Sequence, residues 1–288
     1  MRIVCLSAEA ADICFRLGAE ADVVAVSAFA PKQPKKPVVS GFSHGNIENI
    51  VQADPELVIT FSDVQARLAD NLIRAGIPVL ALNHFTVGGV AGAIRLLGRI
   101  VGRAEAGEGL ANTFLGDLRK FTHSLAMRPR IYFEEWNDPM ITGIPWISEI
   151  IQTAGGDDIF AGRSSQKAEQ RVVSTEEIVA ANPQIILASW CGKAVDIDSI
   201  RNREGFSSID AVRTGQIHEL APEMILQAGP NLVSGLEAIR RIVQEWASGR
   251  VGEMGGRATG RMKALDRWGE KLGAPRTWLT AKTVPRRF

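Results

Sequence analysis

Four histidines, three cysteines, one tyrosine and six tryptophans hold most of the obvious chemistry in this sequence. The histidines, His44, His84, His123 and His218, show no short ligand spacing, so a bare zinc or manganese site is not expected. His84 follows an apolar run. It could offer a neutral imidazole to a metal centre, or simply edge a cleft. Cys5 and Cys14 sit among apolar residues and read as small buried hydrophobes. Cys191 follows a later run and is the more reactive in its setting, with tight packing as the alternative. There is no CxxC pair and no disulfide framework. No nucleophile elbow, P-loop or zincin helix is present, and Gly88-Gly89 with Gly92 lacks the dinucleotide fingerprint. The expectation is a protein that is not an enzyme and has no resident cofactor. Catalytic turnover of a small metabolite stays the rival from another class, because fold alone does not exclude it.

Two carboxylates stand out by position. Residues 46–59 match residues 174–187 without a gap, at a constant spacing of 128 positions, and this sets Glu48 opposite Glu176. Each copy has a capping residue, Asn46 or Ser174, and an acid in the first turn. Each ends in an Asx-Pro stop, Asp54-Pro55 or Asn182-Pro183, before an apolar strand. The bland role of both glutamates is to favour the positive end of a helix.

The elements that must carry these residues alternate. Strands are expected at Ile3–Leu6, Val23–Val26, Leu57–Thr60 and Val79–Leu82, then at Arg130–Phe133, Ile185–Ala188 and Gln216–Leu220. Each is short, rich in Val, Ile or Leu, and bounded by Gly, Pro, Asn or Asp. Helical patterns lie between them, the signature of parallel sheets covered on both faces. From Gly88 to Met127 no strand signal appears. The pattern predicts a helix near Val90–Val101 and a longer one from Ala104 to about Leu125, with Leu110, Phe114, Leu118 and Phe121 on one face and Arg128-Pro129 as its stop. The fold class is therefore α/β, with two Rossmann-like lobes of parallel sheet joined by one long helix. The boundaries are 1–103 for the N-terminal lobe, 104–128 for the connecting helix and 129–248 for the C-terminal lobe. A basic Gly/Arg-rich tail, 249–288, follows, with one possible helix at Gly260–Leu272.

In open α/β sheets ligands bind outside the carboxyl ends of the strands. That rule picks Phe29, Pro31, Phe61, Asp63, His84 and Phe85 in the first lobe. In the second it picks Trp136, Asp138, Trp190, Cys191, Met224 and Gln227, with Trp146 in the loop segment that follows Asp138. Phe42 is a further aromatic candidate. Aromatic faces with a few polar groups suit a broad, largely apolar ligand. Core packing is the alternative for any one of these rings.

The net charge of +1 gives no broad case for nucleic acid or an anionic membrane. No apolar stretch is long enough to span a bilayer. Met1-Arg2 lead straight into an apolar strand, not a secretory leader, so the sequence as written is expected in the cytoplasm.

Several short motifs resemble those of helical-backbone periplasmic binding proteins. Ile3-Val4-Cys5-Leu6-Ser7-Ala8-Glu9 resembles the family opening, with Ala8 where proline is usual. Gly41-Phe42-Ser43 with Asn46-Ile47-Glu48, and Ala53-Asp54-Pro55-Glu56-Leu57-Val58, follow the family order. So do Ala154-Gly155-Gly156 and Val173-Ser174-Thr175-Glu176. Gln227-Ala228-Gly229-Pro230-Asn231-Leu232-Val233 resembles the cobalamin-binding subgroup. The resemblance runs from residue 3 to about 240. It implies a solute-binding protein that captures a corrinoid (cobalamin-like) or related metal chelate between its lobes for an ABC importer, in the periplasm, with little lobe motion. It carries two permease-docking roles onto Glu48 and Glu176. A cobalt corrinoid would then be the ligand and not a cofactor, and the protein is expected to be a monomer. Haem and siderophore capture stay open. Tyr132, inside a strand, argues against tyrosine-ligated haem. Arg163 and Arg201 could serve a siderophore. A cytoplasmic corrinoid-handling protein without a permease is the remaining alternative.

Overall fold

The computed structural model describes residues 1–249 apart from 33, 122–126, 164 and 166. The rest of the basic tail, with the helix expected at Gly260–Leu272, lies outside the described residues, as does His123. The first sheet holds β1 (Ile3–Cys5), β2 (Val23–Ser27), β3 (Val38–Ser40), β4 (Leu57–Phe61) and β5 (Val79–Leu82). Its order is β3-β2-β1-β4-β5, all parallel. The second holds β6 (Arg130–Asn137), β7 (Met140–Thr142), β8 (Asp157–Asp158), β9 (Ile185–Ala188) and β10 (Ile217–Glu219). Its order is β10-β9-β6-β7, with β8 on the start of β6 and only β7 antiparallel. The helices of the first half are α1 (Ala8–Arg16), α2 (Ile47–Gln52), α3 (Ala66–Arg74), α4 (Val87–Ile100) and α5 (Ala104–Arg119). Those of the second are α6 (Pro145–Ala154), α7 (Thr175–Ala181), α8 (Ile197–Arg201), α9 (Asp210–Arg213), α10 (Pro222–Ile225) and α11 (Leu232–Ala247).

All seven expected strands form. The sequence pattern misses β3, β7 and β8, which have two or three residues each and no room for a periodic signal. β7 is reached through a tight turn at the cis Asp138–Pro139 peptide. In the first sheet the chain runs outward from β1 to β2 and β3, then crosses back to β4 on the other side of β1. The crevice at the carboxyl ends of β1 and β4 is the switch point where such sheets take ligands.

The internal repeat is built in matching detail. Asn46 Oδ1 accepts the Asn49 N–H at 3.0 Å, and Ser174 Oγ accepts the Glu177 N–H at 3.3 Å. Asp54 and Asn182 both hold positive φ, 48° and 44°, to stop their helices before proline. Arg2 and Arg130, also 128 positions apart, lay their guanidinium groups on the last helix carbonyls. Arg2 Nη2 reaches Ala53 O at 2.6 Å and Arg130 Nη2 reaches Asn182 O at 2.8 Å. Strand register repeats too, with Ile3 opposite Leu57 and Ile131 opposite Ile185.

The connection differs from the expected long strut. α5 stops at Arg119, with Phe121 N–H turned back onto Leu118 O, and residues 122–126 lie outside the described ones. α5 also folds against α4. A Cβ on Gly98 would stand 2.7 Å from the Gly107 Cα, so the two backbones touch and no side chain fits between them. The lobes are joined by a common core. Ile3, Cys5 and Ile59 of the first sheet share one apolar cluster with Ile131, Phe133 and Leu187 of the second. Alternate residues face outward into separate clusters, Val4 and Val58 in one lobe, Tyr132 and Ile186 in the other. β1, β4, β6 and β9 are thus buried on both faces over most of their length, which is why they read as continuous apolar runs. A shared close-packed core resists lobe displacement more than a single helix would.

Candidate functional site

At the carboxyl ends of the first sheet the aromatic residues gather into two groups. Phe29, half-buried after β2, meets Phe42 edge-on with centroids 6.1 Å apart, and Phe42 is about half exposed. Phe61 closes β4 and meets His84 edge-on at 5.3 Å. Gln65 ties this wall together. Its Nε2 donates to Leu6 O at 2.9 Å and Phe42 O at 2.8 Å, and its Oε1 accepts the Phe61 N–H at 3.0 Å. Between them Ser62 adopts φ 53°, ψ −174°, a conformation that residues with a Cβ rarely hold and that clusters at ligand clamps. Pro31 is half-buried, and Asp63 is exposed at the start of the single turn after Ser62.

His84 Nε2 lies 3.1 Å from Ala228 O. A carbonyl only accepts, so Nε2 carries the proton and Nδ1 is the remaining acceptor. Burial pushes the imidazole below its usual range, which keeps it neutral. This contact and the close approach of Gly229 to Glu9 seat residues 224–231, including Met224 and Gln227, against the first lobe. Burial also lifts the Glu9 carboxyl to about 7, and its Oε1 has no hydrogen-bond partner.

Two expected wall residues are corrected here. Trp146 has no exposed surface. Its indole N–H is spent on Ile225 O at 2.9 Å, and its ring stacks on Phe85, itself buried. Both pack the joint between the lobes and present no face to a ligand.

The second sheet carries a different wall. Trp136 is half-buried with its N–H on Asp138 O at 2.9 Å, while the Asp138 side chain is exposed. Trp190 is almost wholly buried, a further correction to its role as open wall. Its N–H donates to Glu134 Oε1 at 3.2 Å. Glu134 is fully buried and also accepts from Tyr132 Oη at 3.1 Å and Arg203 Nη1 at 2.6 Å. Lys193 Nζ lies 4.1 Å from the Trp136 ring centroid and 4.7 Å from that of Trp190, and donates to Asn137 Oδ1 at 2.6 Å. Cys191 is half-buried. Burial first, and Glu135 second, lift it to about 11, so it stays protonated.

Glu48 and Glu176 are exposed at the second helical position of α2 and α7. Neither forms an ion pair among the described residues. Helix N–H groups and Ser174 hold Glu176 below the usual carboxylate range. Cavities of about 420 and 180 Å³ lie elsewhere, beside β3 and α2 and at the junction of α4, α5 and α6. Neither is lined by the aromatic residues of the strand ends. Sequence reading missed Gln65, Ser62, Glu9 and Lys193. Only Lys193, three residues past Trp190 in a Trp-Cys-Gly-Lys turn, carried a positional signal.

Residues 3–224 match the model of the periplasmic binding protein family. An uncharacterized ABC transporter substrate-binding lipoprotein of Bacillus subtilis is 25% identical over 252 residues, 83% of this chain and 78% of that protein. A vitamin B12-binding protein of Vibrio campbellii is 28% identical over 223 residues, 72% of this chain and 80% of that one. The structure of a periplasmic heme-binding protein from Roseiflexus matches with a TM-score of 0.71 at 21% identity, covering 85% of this chain and 98% of that one. At that identity the likeness shows the fold.

Proposed function

The chain belongs to the periplasmic binding protein family, and from that membership we propose that it captures a corrinoid of the cobalamin kind, or a related metal chelate, for an ABC importer. One observation carries the ligand choice. Aromatic faces stand at the carboxyl ends of both sheets, Phe42 beside Phe29 and Phe61 beside His84 in one and Trp136 in the other. A broad ring gains dispersion and buried area from such faces on both sides. The metal arrives inside the ligand, and His84, beside Phe61, keeps Nδ1 as an acceptor. Tyrosine-ligated haem is disfavoured, because Tyr132 is fully buried and bonded to Glu134. The guanidinium groups of Arg163 and Arg201 are engaged by Glu177 and Asp198, which weakens the siderophore reading.

Delivery rests on Glu48 and Glu176, paired by the repeat and exposed at matching helix starts. Charge reversal, Glu48→Lys with Glu176→Lys, is expected to abolish permease docking while ligand affinity stays intact; unchanged docking removes the role. The periplasmic and lipoprotein names of relatives support a place outside the cytoplasm and lend nothing to the cytoplasmic placement. The ligand is tested by titrating the purified chain with cobalamin, cobinamide, haem and a ferric siderophore, following visible absorbance and tryptophan quenching. Corrinoid binding at micromolar or better affinity is expected. Binding of haem or the siderophore alone overturns the choice.

A further inference from the structure

Lys193 is exposed at the carboxyl end of β9, yet its ammonium is held in place. It lies over the faces of Trp136 and Trp190 and spends one N–H on Asn137. Both rings are themselves fixed, Trp190 through Glu134 and Trp136 through the Asp138 carbonyl. The carboxylates around this wall are already matched, buried Glu134 by Arg203 and half-buried Glu135 by Arg171. Lys193 makes no ion pair among the described residues. An ammonium has three donors and no acceptor, and its one hydrogen bond, to Asn137, does not exhaust them. A long side chain normally loses rotamer freedom when it binds; here the cation–π contacts have already restricted it.

We propose that Lys193 is the anion-reading group of the site, pairing with an acidic oxyanion on the rim of the bound chelate. The oxyanion is a phosphodiester or a carboxylate, and the chelate's apolar face lies against the aromatic walls. The inference rests on the chelate reading above and adds to it the charge that the ligand must carry. An ammonium already held over the two rings discriminates by the charge-assisted pairing that it loses when the ligand lacks an acid.

The test compares the wild-type chain with Lys193→Met and Lys193→Arg. The probes are cobalamin, which carries a phosphodiester, and cobinamide, which lacks it. Lys193→Met is expected to weaken cobalamin binding about tenfold, the size of one charge-assisted hydrogen bond. Cobinamide affinity should stay within about twofold, and Lys193→Arg should retain most of the cobalamin affinity. Equal loss for both probes, or loss for neither, overturns the proposal and leaves Lys193 as packing. If the wild type binds neither corrinoid, haem and its dimethyl ester form the same comparison, with the same outcomes for and against. A wild-type chain that binds none of the four removes the chelate reading and this inference together. That failure is distinguishable because it shows before any substitution.

Discussion

Glu134 offers the sharpest prediction about the second lobe. Its carboxylate is fully buried, accepts from Tyr132, Trp190 and Arg203, and so sets the ring on which Lys193 rests. Glu134→Ala strips all of these donors of their acceptor at once. Breaking a buried ion pair by removing one partner costs about 3–5 kcal/mol. In a domain of about 250 residues each kcal/mol lowers Tm by roughly 2–4 °C, so a fall of roughly 6–20 °C is expected. Replacing both charges, Glu134→Leu with Arg203→Met, removes the stranded guanidinium. Its cost should fall well short of the two single losses added together, because an apolar pair can stand in for an ion pair at similar energy. Calorimetry at pH 7 on wild type, both singles and the double gives the coupling directly. Tryptophan emission should shift red in Glu134→Ala, as Trp190 loses its fixed burial. A loss below about 1 kcal/mol, or single effects that simply add, would refute the view of these residues as one unit.

Three further outcomes follow from the geometry. Gln65→Ala removes the bonds to Leu6, Phe42 and Phe61 and should cost about 2–4 kcal/mol in urea melts, with weaker ligand binding as Phe42 and Phe61 loosen. Gly98→Val forces a side chain into the Gly107 backbone and should cost about 1–3 kcal/mol or more; an unchanged Tm would mean that α4 and α5 are not in contact there. Glu9 has its folded value raised from 4.5 to about 7. The folded state therefore prefers the protonated acid, and stability is lost as pH rises from 4.5 through 7. Glu9→Gln should match the parent at pH 4 and exceed it by up to about 3 kcal/mol at pH 8; an equal offset at both pH values would contradict this.

Much of the framework is legible in the residues, and the reasons are local. Ile185 to Ala188 are buried on both faces, so they write an apolar run that any reader finds. Asn182-Pro183 and Ser174 mark helix ends because orphan backbone groups demand them. What the residues hide is contact across the chain. Trp146 and Trp136 have the same composition signal, yet one packs the joint between lobes and the other faces outward, and only the third dimension separates them. Gly98 and Gly107 look like ordinary helix-weakening glycines until their helices are seen backbone to backbone. Arg2 and Arg130 continue the repeat into the strands, but a lone Arg before an apolar run gives no hint that it caps a helix fifty residues away. Gln65 is likewise unremarkable in sequence, since two of its three partners, Leu6 and Phe42, come from distant parts of the chain.

Hydrogen exchange on the full chain, with and without saturating cobalamin, tests the central claim most directly, because it reports where a ligand sits. Ligand between the lobes should slow exchange in both strand-end walls together, at residues 61–65 of the first sheet and 190–193 of the second. The groove beside β3 and α2 should be unaffected. Protection confined to one lobe, or to that groove, would contradict a binding site made by both walls.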